Sequence, residues 1–162
     1  MKPEKAFRIR LVKILEILRQ DTDEDNPMPT NTLIKKLAEQ GIECDRRTLY
    51  RDIQVLNEYG YEVLRTRAIS NEYYIVDRSF DIPELRILLD AVQAASFITP
   101  KKTEVLIDKI ADLAGSHRAE VLKKNIMRFN IAKHTNEAIY YNVNEIERAI
   151  MEGKKVSFFY FD

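Results

Sequence analysis

The side chains best able to do chemistry lie in one short run, Arg46-Arg47-Thr48-Leu49-Tyr50-Arg51, continued by Gln54 three positions on. On a helix, at about 100° per residue, Arg47, Arg51 and Gln54 fall on one stripe with Tyr50 beside them. Leu49, Ile53 and Leu56 fall on the opposite stripe, at the i, i+4, i+7 spacing of a face buried against a core. Guanidinium forks and a primary amide can pair with base edges in a DNA groove, and the phenol and flanking arginine suit phosphate oxygens. The plain alternative is a solvated charged face, because Arg and Gln are ordinary on exposed helices.

Other chemistries lack their parts. His117 and His134 stand alone, without a partner acid, Cys or His at ligand spacing. Asp21, Asp23 and Asp25 alternate as calcium-loop ligands do, but the loop's sixth position is Asn26 instead of Gly and its twelfth is Thr32 instead of Glu. A solvated acidic loop is therefore expected. Cys44 is the one cysteine, and nothing around it in the sequence marks a reactive thiol. There is no Gly-rich phosphate loop, nucleophile elbow or recognisable pair of catalytic carboxylates. The chain is read as not an enzyme, with no cofactor.

The elements around the arginine run give it a context. Asp45 is a good N-cap and Gly60 a good stop, so one helix of about four turns is predicted between them. Before it, Thr30 or Asn31 can cap a helix running to Gln40, with Leu33, Ile34, Leu37 and Ala38 inward and Gly41 as its stop. The residues 41–44 then make a tight turn, the spacing of a helix-turn-helix unit. A first helix is marked by Phe7, Leu11, Ile14, Leu15 and Leu18. After Gly60, residues 61–66 and 73–76 read as strands joined through Ser70 and Asn71. A hairpin directly behind a helix-turn-helix is a wing, and Arg65 and Arg67 near its tip could reach a phosphate or the minor groove.

Composition limits how such a surface can work. The 26 basic residues balance 26 acidic ones, so attraction to nucleic acid must come from local placement of charge. A hydrophobic share of 45% beside 32% charged residues fits a globular chain with a real core. The single cysteine excludes an intrachain disulfide and fits a reducing compartment. No apolar run approaches a membrane span, and the opening residues lack the core of a secretion signal. A cytoplasmic location and no membrane partner are expected.

The run Arg46-Arg47-Thr48-Leu49-Tyr50-Arg51-Asp52-Ile53, with Leu56 and Gly60 after it, resembles the recognition helix of bacterial WYL-domain transcriptional regulators. That resemblance implies an N-terminal winged helix, a helical linker and a C-terminal ligand-sensing domain. It implies DNA-facing roles for Arg46, Arg47, Thr48, Tyr50 and Arg51, and a structural role for Asp52 as partner of a basic side chain. Their places around the helix separate these residues further. Arg47, Arg51 and Gln54 are assigned to base edges, whereas Arg46, Thr48 and Tyr50 flank them and suit phosphates. Glu58 shares the outer stripe near its far end, so the N-terminal half should dock first.

The second half reads as helices. Residues 85–98 are apolar around nearly the whole circumference after a start at Asp81, Ile82 and Pro83. Residues 100–114 follow, with Val105, Leu106, Ile110 and Leu113 inward and Gly115 as stop. Ser116 is expected to cap a third helix bearing Leu122, Ile126 and Phe129. So much apolar helix implies self-association, most simply a two-fold dimer, which would present two recognition helices about one DNA turn apart. A short helix from Asn142 or Asn144, then an aromatic strand over residues 156–161, match the opening of a WYL domain. The Trp-Tyr-Leu tripeptide that names the family is absent, so no sensing residue carries over.

The expected architecture is thus mainly α: a winged helix-turn-helix DNA-binding domain (1–78), a helical linker and dimerisation region (79–136), and the beginning of a truncated WYL-type sensor domain (137–162). Double-stranded DNA and a second copy are the expected partners, and a small-molecule or nucleotide effector enters only through the missing part. Two rivals stay open, a protein-protein interaction module built on a winged helix without DNA binding, and an enzyme whose active site lies in the missing part.

Overall fold

The computed structural model describes residues 3–67, 70–126, 133, 135–136 and 138–159, without the side chains of residues 3–6, 67 and 140. Helix α1 (Pro3–Asp21) buries Ile14 and Leu18 of the predicted stripe, leaves Phe7, Leu11 and Leu15 half-buried, and also buries Ile17, which the sequence reading did not place on it. The Thr22 hydroxyl donates to the Leu18 carbonyl at 2.6 Å, where the helix ends. Strand β1 (Met28–Pro29) leads into α2 (Thr30–Glu39). Helix α3 (Arg46–Glu58) and the strands β2 (Val63–Arg67) and β3 (Asn71–Ile75) complete the first half.

Glycine conformation ends both α2 and α3. Gly41 and Gly60 have φ of 74° and 89°. In each case the next residue donates back to the last turn, Ile42 to the Leu37 carbonyl at 2.9 Å and Tyr61 to the Leu56 carbonyl at 3.0 Å. The three strands form one antiparallel sheet in the order β1-β3-β2, with Arg65 opposite Tyr73 and Met28 on the other side of Tyr73. Leu33, Leu37, Leu49, Ile53, Val63 and Ile75 close the core against α1.

Several boundaries differ from the sequence reading for identifiable reasons. Neither Thr30 nor Asn31 caps α2: Pro29 occupies the cap position without a side-chain bond, and the buried Thr30 hydroxyl donates to the Asn71 carbonyl at 2.8 Å. The hydroxyl ties α2 to the hairpin instead. Strand β1 has no counterpart in the sequence reading, because two residues ending in proline carry no periodic signal; Pro29 is tolerated since β1 lies at the sheet edge.

The loop after α1 is not simply solvated. Asp23 is 3% exposed and accepts from the backbone N–H groups of Asp25 and Asn26 at 3.0 and 2.9 Å and from the Asn26 amide at 2.8 Å. Asp21 accepts from Lys36 at 2.9 Å. Burial works to raise the Asp23 carboxyl, but these hydrogen bonds and nearby Arg118 together hold it below the usual range.

The second half comprises α4 (Ile82–Ala94), α5 (Pro100–Asp112), α6 (Ser116–Lys124) and α7 (Ala138–Met151). Helix α4 starts with a reciprocal cap, Asp81 accepting from the Glu84 backbone at 2.8 Å and Glu84 accepting from the Asp81 backbone at 2.9 Å. It stops at Ala94, short of the predicted Ile98. Leu85 and Leu89 pack on Ala111, Ala114, Ala119 and Leu122 in a second core, while Ile87 on the far side is 68% exposed. Val105 and Leu113 also point outward, at 41% and 51% exposure, because Thr103, Ile107 and Ala111 occupy the inward stripe of α5.

Ser116 does not cap α6. Gly115 holds the cap position, and the Ser116 hydroxyl donates to the Gln20 carbonyl at 3.0 Å. Helix α7 begins at least four residues before the predicted Asn142. Among the described residues, 154–159 form no strand. Phe129, His134 and residues 160–161 lie outside the described residues.

The two cores meet at the loop after α1. Arg78 donates to the carbonyls of Arg19 and Thr22 at 2.9 and 2.6 Å, Arg118 pairs with Glu24 and Asp23, and Arg19 pairs with Asp77 at 2.7 Å. Gly115 sits so close that an added Cβ would lie 2.8 Å from the Arg19 carbonyl oxygen. The described residues are therefore mainly helical, with seven helices and one small antiparallel sheet. Among them no helix is long and apolar enough to cross a membrane.

Candidate nucleic-acid interface

Helix α3 is fixed at its start and from behind. The Asp45 carboxylate accepts from the Thr48 backbone N–H at 2.7 Å, and that bond draws its pKa below the usual carboxylate range. Leu49, Ile53 and Leu56 face the core. Between them, Asp52 is 1% exposed and accepts from Arg10 of α1, with Nη2 at 3.2 Å from Oδ1 and Nε on Oδ2. This is the basic partner that the resemblance implied for Asp52. The hydrogen bond to Asp52 holds the Arg10 guanidinium above its ordinary pKa.

With its inner face so held, α3 presents Arg47, Arg51, Gln54 and Glu58 outward, all of them exposed. Among the described residues no hydrogen bond or ion pair within 4.0 Å engages the guanidiniums of Arg47, Arg51 or Arg65. The other expected residues are partly occupied. Arg46 donates to the Asn31 amide oxygen at 2.9 and 3.2 Å, which ties the first turn of α3 to α2. Thr48 is half-buried. Tyr50 is 40% exposed, its hydroxyl accepts from Asn71 at 3.3 Å, and its ring lies 6.3 Å from that of Tyr73. Contacts with Thr30 and Asn71 draw the Tyr50 phenol below its ordinary range.

The hairpin lies against the same side of α3. Tyr50, Gln54, Arg65, Asn71 and Tyr73 line one cleft of about 580 Å³. Asn57 anchors it through two bonds to Val63, accepting from its N–H at 2.9 Å and donating to its carbonyl at 3.1 Å. Arg65 is exposed on β2 near Tyr50. The backbone of Arg67 pairs with Asn71, while its side chain is outside the described residues.

The geometry therefore gathers Arg46, Arg47, Tyr50, Arg51, Gln54 and Arg65 on α3 and the adjacent hairpin, on a chain whose net charge is zero. Asn31 and Asn71, read in the sequence only as a possible cap and a turn residue, set this arrangement together with Asn57, which was given no role there. A hydrogen-bonding amide leaves no periodic trace, although Asn57 at the end of a capped helix is a weak signal. Comparison with models of protein families, with curated proteins and with solved structures finds no match to this chain.

Proposed function

We propose that this protein is a sequence-specific regulator of transcription that binds double-stranded DNA in the bacterial cytoplasm. Residues 1–78 act as a winged helix-turn-helix, α3 entering the major groove and the hairpin resting on the backbone or minor groove. The observation that carries this reading is the set of three exposed guanidiniums, Arg47, Arg51 and Arg65, that no hydrogen bond or ion pair among the described residues engages, on a helix and hairpin anchored to each other and to the core. Donors with no internal hydrogen bond to break, carried on an anchored backbone, suit base and phosphate contacts, so the ordering cost on docking falls on the side chains and not on their supports.

The protein acts as a homodimer through the helical region, where Ile87, Val105 and Leu113 leave apolar surface open on single chains. Its likeness to WYL-domain regulators supports an effector-sensing part whose first elements begin near α7. A fluorescent duplex chosen by selection from a random library tests the DNA reading. Arg51→Ala should weaken binding by about 1–3 kcal/mol. Equal affinities for wild type and variant would instead favour a protein-interaction module.

A further inference from the structure

The outward stripe of α3 is not a uniform row of donors. Gln54 Nε2 donates to Glu58 Oε1 at 3.0 Å, one turn further along. One amide hydrogen is thereby committed, and the other hydrogen and Oε1 remain free to meet a base in the plane of the amide. Adenine presents the matching pair in the major groove, an acceptor at N7 and a donor at N6. Guanine presents acceptors at both O6 and N7, which would set Oε1 against O6 and bring the Glu58 carboxylate towards it. Arg51 offers the reverse pattern, two parallel N–H donors and no acceptor, and nothing within the described residues engages it.

Resting on the reading that α3 enters the major groove, we infer that Gln54, positioned by Glu58, reads an adenine and that Arg51 reads a guanine at a neighbouring base pair. Three residues of helix separate the two side chains by about 4.5 Å along the axis. The base-pair step is about 3.4 Å, so they reach adjacent pairs, or pairs one step further apart. Arg47, four residues before Arg51, lies about 6 Å further towards the N-terminus and reaches the flanking pair or its phosphate. Glu58 is a positioning residue here, since it acts through the Gln54 amide.

Selection of bound duplexes from a random library tests this, with the full chain as wild type, Arg51→Ala, Gln54→Ala, Glu58→Ala and Glu58→Gln. All four changes are on exposed side chains, and circular dichroism confirms that each variant folds. Wild type should enrich an A·T pair within two base pairs of a G·C pair. Gln54→Ala should lose only the first, its preference for A over G falling about 5- to 150-fold, and Arg51→Ala only the second. Glu58→Ala should relax the adenine preference about twofold, the size of an i, i+4 side-chain pair. Glu58→Gln should preserve it, because its amide oxygen still accepts from Gln54.

A Gln54-dependent position that prefers guanine or cytosine, or dependent positions more than two pairs apart, would overturn the inference while leaving DNA binding intact. Loss of the adenine preference in Glu58→Gln as severe as in Glu58→Ala would overturn the positioning role. Enrichment of no duplex by wild type would overturn the DNA reading itself, and this inference with it.

Discussion

The pair of Arg10 and Asp52 holds the outward face of α3 in place, and its removal has an unequal effect from the two sides. Asp52 is 1% exposed and its partner 13%. Arg10→Met leaves a carboxylate buried without a counter-charge, a change that costs about 3–5 kcal/mol; the slight exposure of the site places the expectation near 3. Asp52→Leu should cost less, about 2 kcal/mol, because the long Arg10 side chain can carry its charge to water. The double variant, Arg10→Met with Asp52→Leu, should return to within about 1 kcal/mol of wild type, since an apolar pair needs no desolvation.

Urea unfolding followed by circular dichroism measures these changes. With a slope of roughly 2 kcal/mol per molar, Arg10→Met should move the midpoint down by roughly 1.5 M. A total stability of about 5–15 kcal/mol makes this a large fraction. Costs below about 1 kcal/mol for Arg10→Met, or additive costs in the double variant, would refute the claim that this is a buried, mutually dependent pair.

Three further outcomes follow from the loop and its neighbours. Gly115 has φ 84° and ψ 162°, a region open essentially to glycine alone, and an added Cβ meets the Arg19 carbonyl; Gly115→Ala should therefore lower stability by more than the about 1–3 kcal/mol of backbone strain. Gly153→Ala, where nothing lies within 4 Å, should cost less when the two variants are compared by thermal melting. Asp23 is held below its ordinary pKa in the folded state, so its contribution is fully present above about pH 4, the unfolded value, and is lost as the pH falls through the folded one. Urea titrations between pH 6 and pH 2 should show a shallower loss in Asp23→Asn, and identical profiles would contradict the hydrogen-bonded loop. Burial pushes the Cys44 thiol above its ordinary range, so iodoacetamide at pH 8 should modify it more slowly than a free thiol; faster modification would refute the inert assignment.

The first half is legible where one local rule dominates. Asp45 and Gly60 each have a side chain or backbone freedom that only a helix end uses, so the bounds of α3 can be read directly. Its two stripes follow from period alone. Thr30 and Ser116 fail as caps for a shared reason. Each hydroxyl finds a carbonyl distant in sequence, Asn71 and Gln20, and local pattern cannot reveal such a partner. Asp23 escapes a sequence reading because alternating acids look solvated until Arg118, 95 residues away, is brought beside them. On α5 and at its C-cap, Val105 and Leu113 read as inward by apolar character, yet the stripe that faces α4 and α6 is set by Ile107 and Ala111. Of the candidate site, the charged members are visible in the sequence and the amides that orient them are not.

Whether the face of α3 and its hairpin binds nucleic acid is tested most directly by the salt dependence of duplex affinity. The logarithm of the association constant should fall linearly with the logarithm of salt concentration, by about 0.9 for each phosphate neutralised. Replacing Arg47 and Arg65 by Ala should make that slope shallower, by up to about one for each phosphate that is no longer neutralised. A slope near zero, or one unchanged by both replacements, would contradict DNA binding by this surface.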